Sequence, residues 1–219
     1  MNLSIKSVKS TLHLVHSKNL STGNKFLDAR YEDQKKFSAG SAIKYYRLFY
    51  RLAEKLKPKL VVELGAFQAT GGAHFAGGNP DGEVVTIDIH KDPGQDLDEL
   101  KCHEAERHFP NLTHIKGWTW DDHVVEAVKS YNTPIDILYI DAWHRYDYVQ
   151  REWGIYSKLL ADKALIICDD ILDNDGLFED MEKWWDEVKY PKFLDDKMHN
   201  GIPMGFFVYS RKGNIKNAK

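Results

Sequence analysis

Three aspartates stand where apolar runs end: Asp141 in ILYIDAWH, and Asp169 with Asp170 in LIICDDI. Both runs read as buried parallel strands. Such strands bring their carboxyl ends to one sheet edge, so the three carboxylates are expected to meet there. Carboxylates crowded together raise one another's pKa unless a cation compensates them, and a hard divalent ion with oxygen ligands suits that role. His144 follows Asp141 closely, and an imidazole near its ordinary pKa of about 6.5 is suited to taking a proton. Plainer roles compete. Asp169 and Asp170 could cap the next helix, and His144 could be an ordinary hydrogen-bonded histidine.

A second group lies earlier in the chain. The run VVELGAFQATGG ends a strand with Glu63 and turns at Gly65, which lets the backbone bend tightly and a ligand approach it. The next strand ends VVTIDIH, where Asp88 could accept both hydroxyls of a ribose. The dinucleotide fingerprint G-x-G-x-x-G is absent, which disfavours a pyrophosphate cofactor. The third strand ends HIKGWTW, so Trp118 or Trp120 could stack on a purine or simply pack in the core.

These residues need a scaffold that aligns strand ends. The pattern predicts a helix from Ser41 through Leu56, then strands at Lys59–Leu64, Glu83–Ile89, Thr113–Lys116, Ile135–Ile140 and Ala164–Cys168. Helices alternate with them: a short one through His74 and Phe75, then Asp96–His108, Asp121–Tyr131, one from Tyr146, and one bearing Leu177, Met181, Trp184 and Val188. Met204–Ser210 reads as a last strand, antiparallel to residues near Lys192–Leu194. The expectation is an α/β, Rossmann-like, doubly wound and mainly parallel seven-stranded sheet, with helices on both faces and a terminal antiparallel strand. Residues 1–40 are polar and weakly patterned and are read as an amino-terminal arm or lid, with residues 41–219 as the main domain. Asp173-Asn174-Asp175-Gly176 reads as a turn, Trp184-Trp185 as a helix core face and Asp195-Asp196-Lys197 as a solvated loop.

VVELGAFQATGG followed by VVTIDI resembles the first two cofactor motifs of class I S-adenosylmethionine-dependent methyltransferases. The resemblance implies that Glu63 and Gly65 serve the methionyl end, Asp88 the ribose and Trp118 the adenine. In one respect the sequence departs: Ala69 stands where the family's E-x-G-x-x-x-G has its second glycine, and glycines follow at Gly71 and Gly72. Either alanine serves there or the loop carries two extra residues. ILYIDAWHRY resembles the metal-dependent small-molecule O-methyltransferases, both the catechol type and the antibiotic-sugar type. The catechol type shares the aspartate of Asp141 and the tryptophan of Trp143. The D-G-x-H-x-Y pattern of the sugar branch matches at Asp141, His144 and Tyr146 and departs at Ala142. LIICDDI matches the Asp-Asp of the sugar enzymes. The resemblance, over Leu60 to Ser210, thus implies a magnesium site at Asp141, Asp169 and Asp170, catalytic roles for Asp141 and His144, and Asp141 and Trp143 as further cofactor contacts.

Composition narrows the partners. With 219 residues the chain suffices for one α/β domain, and a net charge of -3 with interspersed signs offers no nucleic-acid face. The basic tail Arg211–Lys219 reads as a solvated end. Cys102 and Cys168 are too few for a disulfide framework and fit a reducing, cytoplasmic setting. No stretch approaches the ~20 apolar residues of a membrane helix. The expected partner is a hydroxylated small-molecule acceptor, a sugar or vicinal diol, which Tyr31, Tyr45 and Tyr46 could help to enclose; family habit adds a homodimer. Two alternatives share the fold: a metal-independent methyltransferase with His144 as sole base, and a binding protein without catalysis. An iron hydroxylase would normally show two histidines and one carboxylate, and this cluster is all carboxylate.

Overall fold

The computed structural model describes residues 3–17, 21–37, 45–90, 96–171, 179–199 and 202–212. Its centre is built from short runs that are buried on both faces, as parallel strands require. These are β1 (Leu60–Leu64), β2 (Glu83–Asp88), β3 (Leu112–Lys116), β4 (Ile135–Ile140) and β5 (Leu160–Cys168). A hairpin of β6 (Lys192–His199) and β7 (Ile202–Ser210) completes a seven-stranded sheet of order β3-β2-β1-β4-β5-β7-β6. The first five strands are parallel, and β7 runs antiparallel to both β5 and β6. This is the expected Rossmann-like topology, with β5 starting earlier and β6 running longer than the apolar pattern indicated.

Strand alternation divides the core in two. Val61, Ile137, Tyr139, Leu165 and Ile167 face one layer, formed by α1 (Ile5–Ser17), α2 (Lys25–Phe37), α3 (Tyr45–Leu56), α4 (Thr70–Gly78) and α5 (Asp96–His108). Val62, Leu64, Leu138, Ile140 and Ile166 face the other, formed by α6 (Asp122–Ser130), α7 (Tyr146–Tyr156) and α8 (Glu179–Glu187). Trp184 and Trp185 are buried in that second layer, as their helix position suggested.

The segment 1–40, read as an arm or lid, contains α1 and α2. Val8, Leu12 and Val15 of α1 and Leu27 and Tyr31 of α2 belong to the first core layer. Asp195 lies in β6 and not in a solvated loop, and its carboxylate pairs with His16 at 3.0 Å. The expected helix start at Ser41, the turn Asp173–Gly176, Leu177 and the tail beyond residue 212 lie outside the described residues. No described helix is long and apolar enough to cross a membrane.

Candidate functional site

Strand order reverses between β1 and β4, so the crevice of this fold opens above their carboxyl ends. There the two chains nearly touch. Gly65 has φ +87°, and a Cβ on it would lie 2.1 Å from the carbonyl oxygen of Asp141. The glycine thus lets the cofactor-type turn and the Asp141 strand end pack against each other. Ala69 itself adopts the left-handed conformation, φ 52°, just before α4. Gly71 and Gly72 answer a different need, because a Cβ on either would press on the Glu63 carboxyl group. Glu63 is 2 % exposed and its Oε2 accepts the Gly72 N–H at 3.0 Å. Burial and the Asp141 charge push its pKa well above the usual range. It therefore braces the start of α4 from beneath the turn.

A cavity of about 330 Å³ opens beyond these strand ends, lined by Gly65, Asp88, Trp118, Asp141, Trp143 and His144 among others. Asp88 is held by two backbone donors: Phe67 N–H to Oδ2 at 2.7 Å and His90 N–H to Oδ1 at 3.1 Å. Trp118 stacks on Trp120 with centroids 4.9 Å apart, and its plane lies within 10° of Trp143 at 6.1 Å. Trp143 is 56 % exposed, an unusual state for so large an apolar ring. Trp118 and Trp143 thus form a nearly parallel aromatic pair on the cavity wall, with Tyr148 beside both.

Glu152 and Thr119 complete the lining and were not singled out from the sequence. Glu152 is 1 % exposed; its Oε1 accepts the Thr119 hydroxyl at 2.6 Å, while its Oε2 is buried with no hydrogen-bond partner among the described residues. Burial raises its pKa to about 7. A carboxylate on a helix ordinarily reads as a solvated face, so its one sequence signal was its position between the apolar residues Val149 and Tyr156.

The three aspartates are linked through two other side chains, but among the described residues they do not form a group whose ligating atoms all lie within 4.8 Å of one another. The Tyr139 hydroxyl donates to Asp141 Oδ2 at 2.6 Å and lies 3.3 Å from Asp169 Oδ2. His144 bridges the outer pair, with Nε2 3.4 Å from Asp141 Oδ1 and Nδ1 3.1 Å from Asp170 Oδ2. Burial and the Asp169 charge raise the Asp141 pKa. For His144, burial opposes the charged form, but the contacts with Asp141 and Asp170 outweigh it and raise the pKa to about 10. This corrects the expectation of an imidazole near its ordinary value: the sequence placed His144 near the carboxylates, but not between two of them. Tyr31, Tyr45 and Tyr46 are buried in the first core layer, and the Tyr45 hydroxyl donates to that of Tyr46 at 3.3 Å.

By donor type, though not by their present spacing, these carboxylates match a hard divalent cation. Asp141, Asp169 and Asp170 supply only carboxylate oxygens from two adjacent strand ends, and burial, with the Asp169 charge, raises the Asp141 pKa. Asp141 lines the cavity, and Asp169 and Asp170 are linked to it through Tyr139 and His144.

A doubly wound sheet with its pocket at the switch point, an acid at the end of β2 and a carboxylate group at the ends of β4 and β5 defines an α/β protein of the nucleotide-cofactor kind. More narrowly, the chain belongs to the methyltransferase-domain family, whose model matches residues 62–171. It is 32 % identical over 66 residues to an uncharacterized protein of Acanthamoeba polyphaga mimivirus, a match spanning 30 % of each chain. Among solved structures, it is similar to the O-methyltransferase TomG of Streptomyces achromogenes, involved in tomaymycin synthesis and crystallised with S-adenosylmethionine. That match has a TM-score of 0.67 at 15 % identity, over 91 % of this chain and 96 % of TomG. A putative caffeoyl-CoA O-methyltransferase of Staphylococcus aureus gives a TM-score of 0.66 at 16 % identity, over 94 % of this chain and all (100 %) of that one. At such identities the likeness is one of fold.

Proposed function

We propose that the protein is an S-adenosylmethionine-dependent O-methyltransferase that modifies a hydroxyl of a small molecule, a sugar or vicinal diol, with magnesium at Asp141, Asp169 and Asp170. The observation that carries this reading is the single cavity shared by Asp88, Trp118 and Trp143 on one side and Asp141 and His144 on the other. Family membership supports methyl transfer, and the O-methyltransferases among its structural relatives support oxygen as the acceptor atom.

Each residue has a task that its geometry permits. Asp88, already fixed by two backbone donors, accepts the ribose hydroxyls. Trp118 and Trp143 hold the purine by stacking and exclude water from one side of it. Gly65 keeps the turn open for the amino-acid end. Asp141, Asp169 and Asp170 would hold a divalent cation at the acceptor's side of the cavity. His144, between Asp141 and Asp170, holds or accepts the proton that the hydroxyl loses. When bound, S-adenosylmethionine supplies an electrophilic methyl group, and a divalent cation lowers the pKa of an acceptor hydroxyl and offsets the carboxylate charge that retains the His144 proton. Alignment of the reacting atoms accounts for the remainder of the rate. Two buried cysteines without a disulfide support a cytoplasmic setting.

Calorimetry with S-adenosylmethionine and S-adenosylhomocysteine, with and without magnesium, tests the cofactor half. Micromolar binding is expected; no binding in any condition would refute the methyltransferase reading. One second reading is a metal-independent enzyme: His144 already supplies a counter-charge between Asp141 and Asp170, and it would have to lose its proton there to serve as sole base. Turnover that persists in excess chelator would select it.

A further inference from the structure

On the far side of Asp88 from the carboxylates, a second group of ligating side chains converges without any part in methyl transfer. His90 follows β2, Cys102 lies in α5 and His114 in β3, and their ligating atoms all fall within 4.8 Å of one another. His90 Nε2 is 3.7 Å from Cys102 Sγ. All three side chains are buried.

We propose that His90, Cys102 and His114 form a binding site for a thiophilic divalent cation of the zinc class. The carrying observation is an orphan. Among the described residues His114 Nε2 is buried with no hydrogen-bond partner, in a residue only 8 % exposed, while its Nδ1 meets the Thr86 hydroxyl at 3.2 Å. A buried nitrogen left so is destabilising unless something occupies it. The other nitrogens are arranged in the same sense. His90 directs Nε2 at the thiol and has Nδ1 3.8 Å from Asp88 Oδ1. Histidines that bind a metal through one nitrogen characteristically have the other oriented by an oxygen, commonly a carboxylate.

The donor set is two imidazoles and one thiol, which selects zinc-like ions over magnesium. Bonds of about 2.0–2.3 Å in a tetrahedral site place ligand atoms about 3.3–3.5 Å apart, so the His90–Cys102 pair needs almost no rearrangement and His114 about 1.5 Å of approach at most. Binding requires the thiolate, so the Cys102 proton leaves to solvent as the S–metal bond forms. The resulting charge, two positive from the ion and one negative from sulfur, is offset by Asp88. A bound ion would tie the β2 end to α5 and β3. The hydrogen bond that Cys102 Sγ donates to the Phe67 carbonyl at 3.3 Å is given up with the thiol proton.

The test uses the full chain and the metal alone. Cobalt(II) titration of the wild type should give a thiolate-to-cobalt charge-transfer band saturating near one equivalent. C168A should keep that band, because Cys168 lies apart in β5, and D169N should keep it because the carboxylate group supplies no sulfur. C102S should abolish it, and H114Q should weaken zinc, measured by competition with a chromophoric chelator, by ~100-fold. A wild type that shows no thiolate band would overturn the proposal whatever the variants do. So would zinc affinity unchanged in a folded C102S or H114Q protein. None of these readouts depends on cofactor binding or turnover.

Discussion

Substituting Gly65 by alanine strikes both halves of the crevice through one methyl group. The added Cβ would stand 2.1 Å from the Asp141 carbonyl oxygen, 2.4 Å from its carbon and 2.6 Å from Ala142 Cα. These are backbone atoms of a strand end and cannot swing aside as a side chain would. The left-handed backbone at φ +87° adds about 1–2 kcal/mol for any residue with a Cβ, and forcing the two segments apart adds about 1–3 kcal/mol. The sum, roughly 2–5 kcal/mol, is a large share of the ~5–15 kcal/mol that holds a domain folded. For a chain of this size each kcal/mol shifts the midpoint by about 2–4 °C, so scanning calorimetry should show a fall of roughly 5–20 °C. Gly154 supplies the internal control. It lies in α7 with nothing within 4 Å of a built Cβ, so Gly154→Ala should raise stability by about 0.5–1 kcal/mol. A Gly65→Ala protein with an unchanged midpoint and unchanged S-adenosylmethionine affinity would refute the claim that this contact couples the two strand ends.

Further outcomes follow from the same geometry. Asp169→Asn should lower turnover by ~100-fold or more while cofactor affinity, read by calorimetry, stays close to wild type; joint loss of both would mean that Asp169 supports the pocket and not the acceptor. Trp118→Ala removes one ring of the stacked pair and should weaken S-adenosylhomocysteine by about 1–3 kcal/mol, the range for aromatic contacts to bases; an unchanged Kd would move the purine elsewhere. His74, buried in α4 beside Tyr46, has its pKa lowered to about 4 by burial. Its neutral form is favoured in the fold, so its contribution is complete above the unfolded pKa of about 6.5 and is lost as pH falls from there to about 4. The difference corresponds to about 3 kcal/mol. Urea unfolding at pH 7 and pH 4.5 should show a steeper loss in wild type than in His74→Leu, and equal slopes would discard this residue as the acid-sensitive point.

Strands and the acids at their ends were legible because a strand buried on both faces leaves a continuous apolar run, and the chain changes character abruptly where it meets the crevice. Asp88, Asp141 and Asp169 all follow such runs. Helix α5 was readable to the residue from its acidic first turn and basic last turn. The amino-terminal helices were harder. In α1 the buried residues Val8, Thr11, Leu12 and Val15 do keep helical spacing, but serines, lysines and histidines between them dilute the apolar signal. Contacts set by strand order were least accessible. Nothing local links His90, Cys102 and His114, which lie twelve residues apart in sequence and meet only because β3 pairs with β2. Glu152 was hidden for a related reason, since its partner Thr119 is 33 positions away.

The ion pair between His16 and Asp195 has a consequence for how the chain reaches its native state. Its two members are 179 positions apart, and Lys9 of α1 also lies over the Phe193 ring at 4.8 Å. On a ribosome adding about 5–20 residues per second, α1 emerges roughly 10–35 s before the hairpin strand that completes its surroundings. Helix α3 arrives sooner and packs against α1, so part of the apolar face is covered early. Until β6 is made, however, His16 and Lys9 lack these partners. The first helix is then a waiting surface, and the final hairpin is the element that closes it.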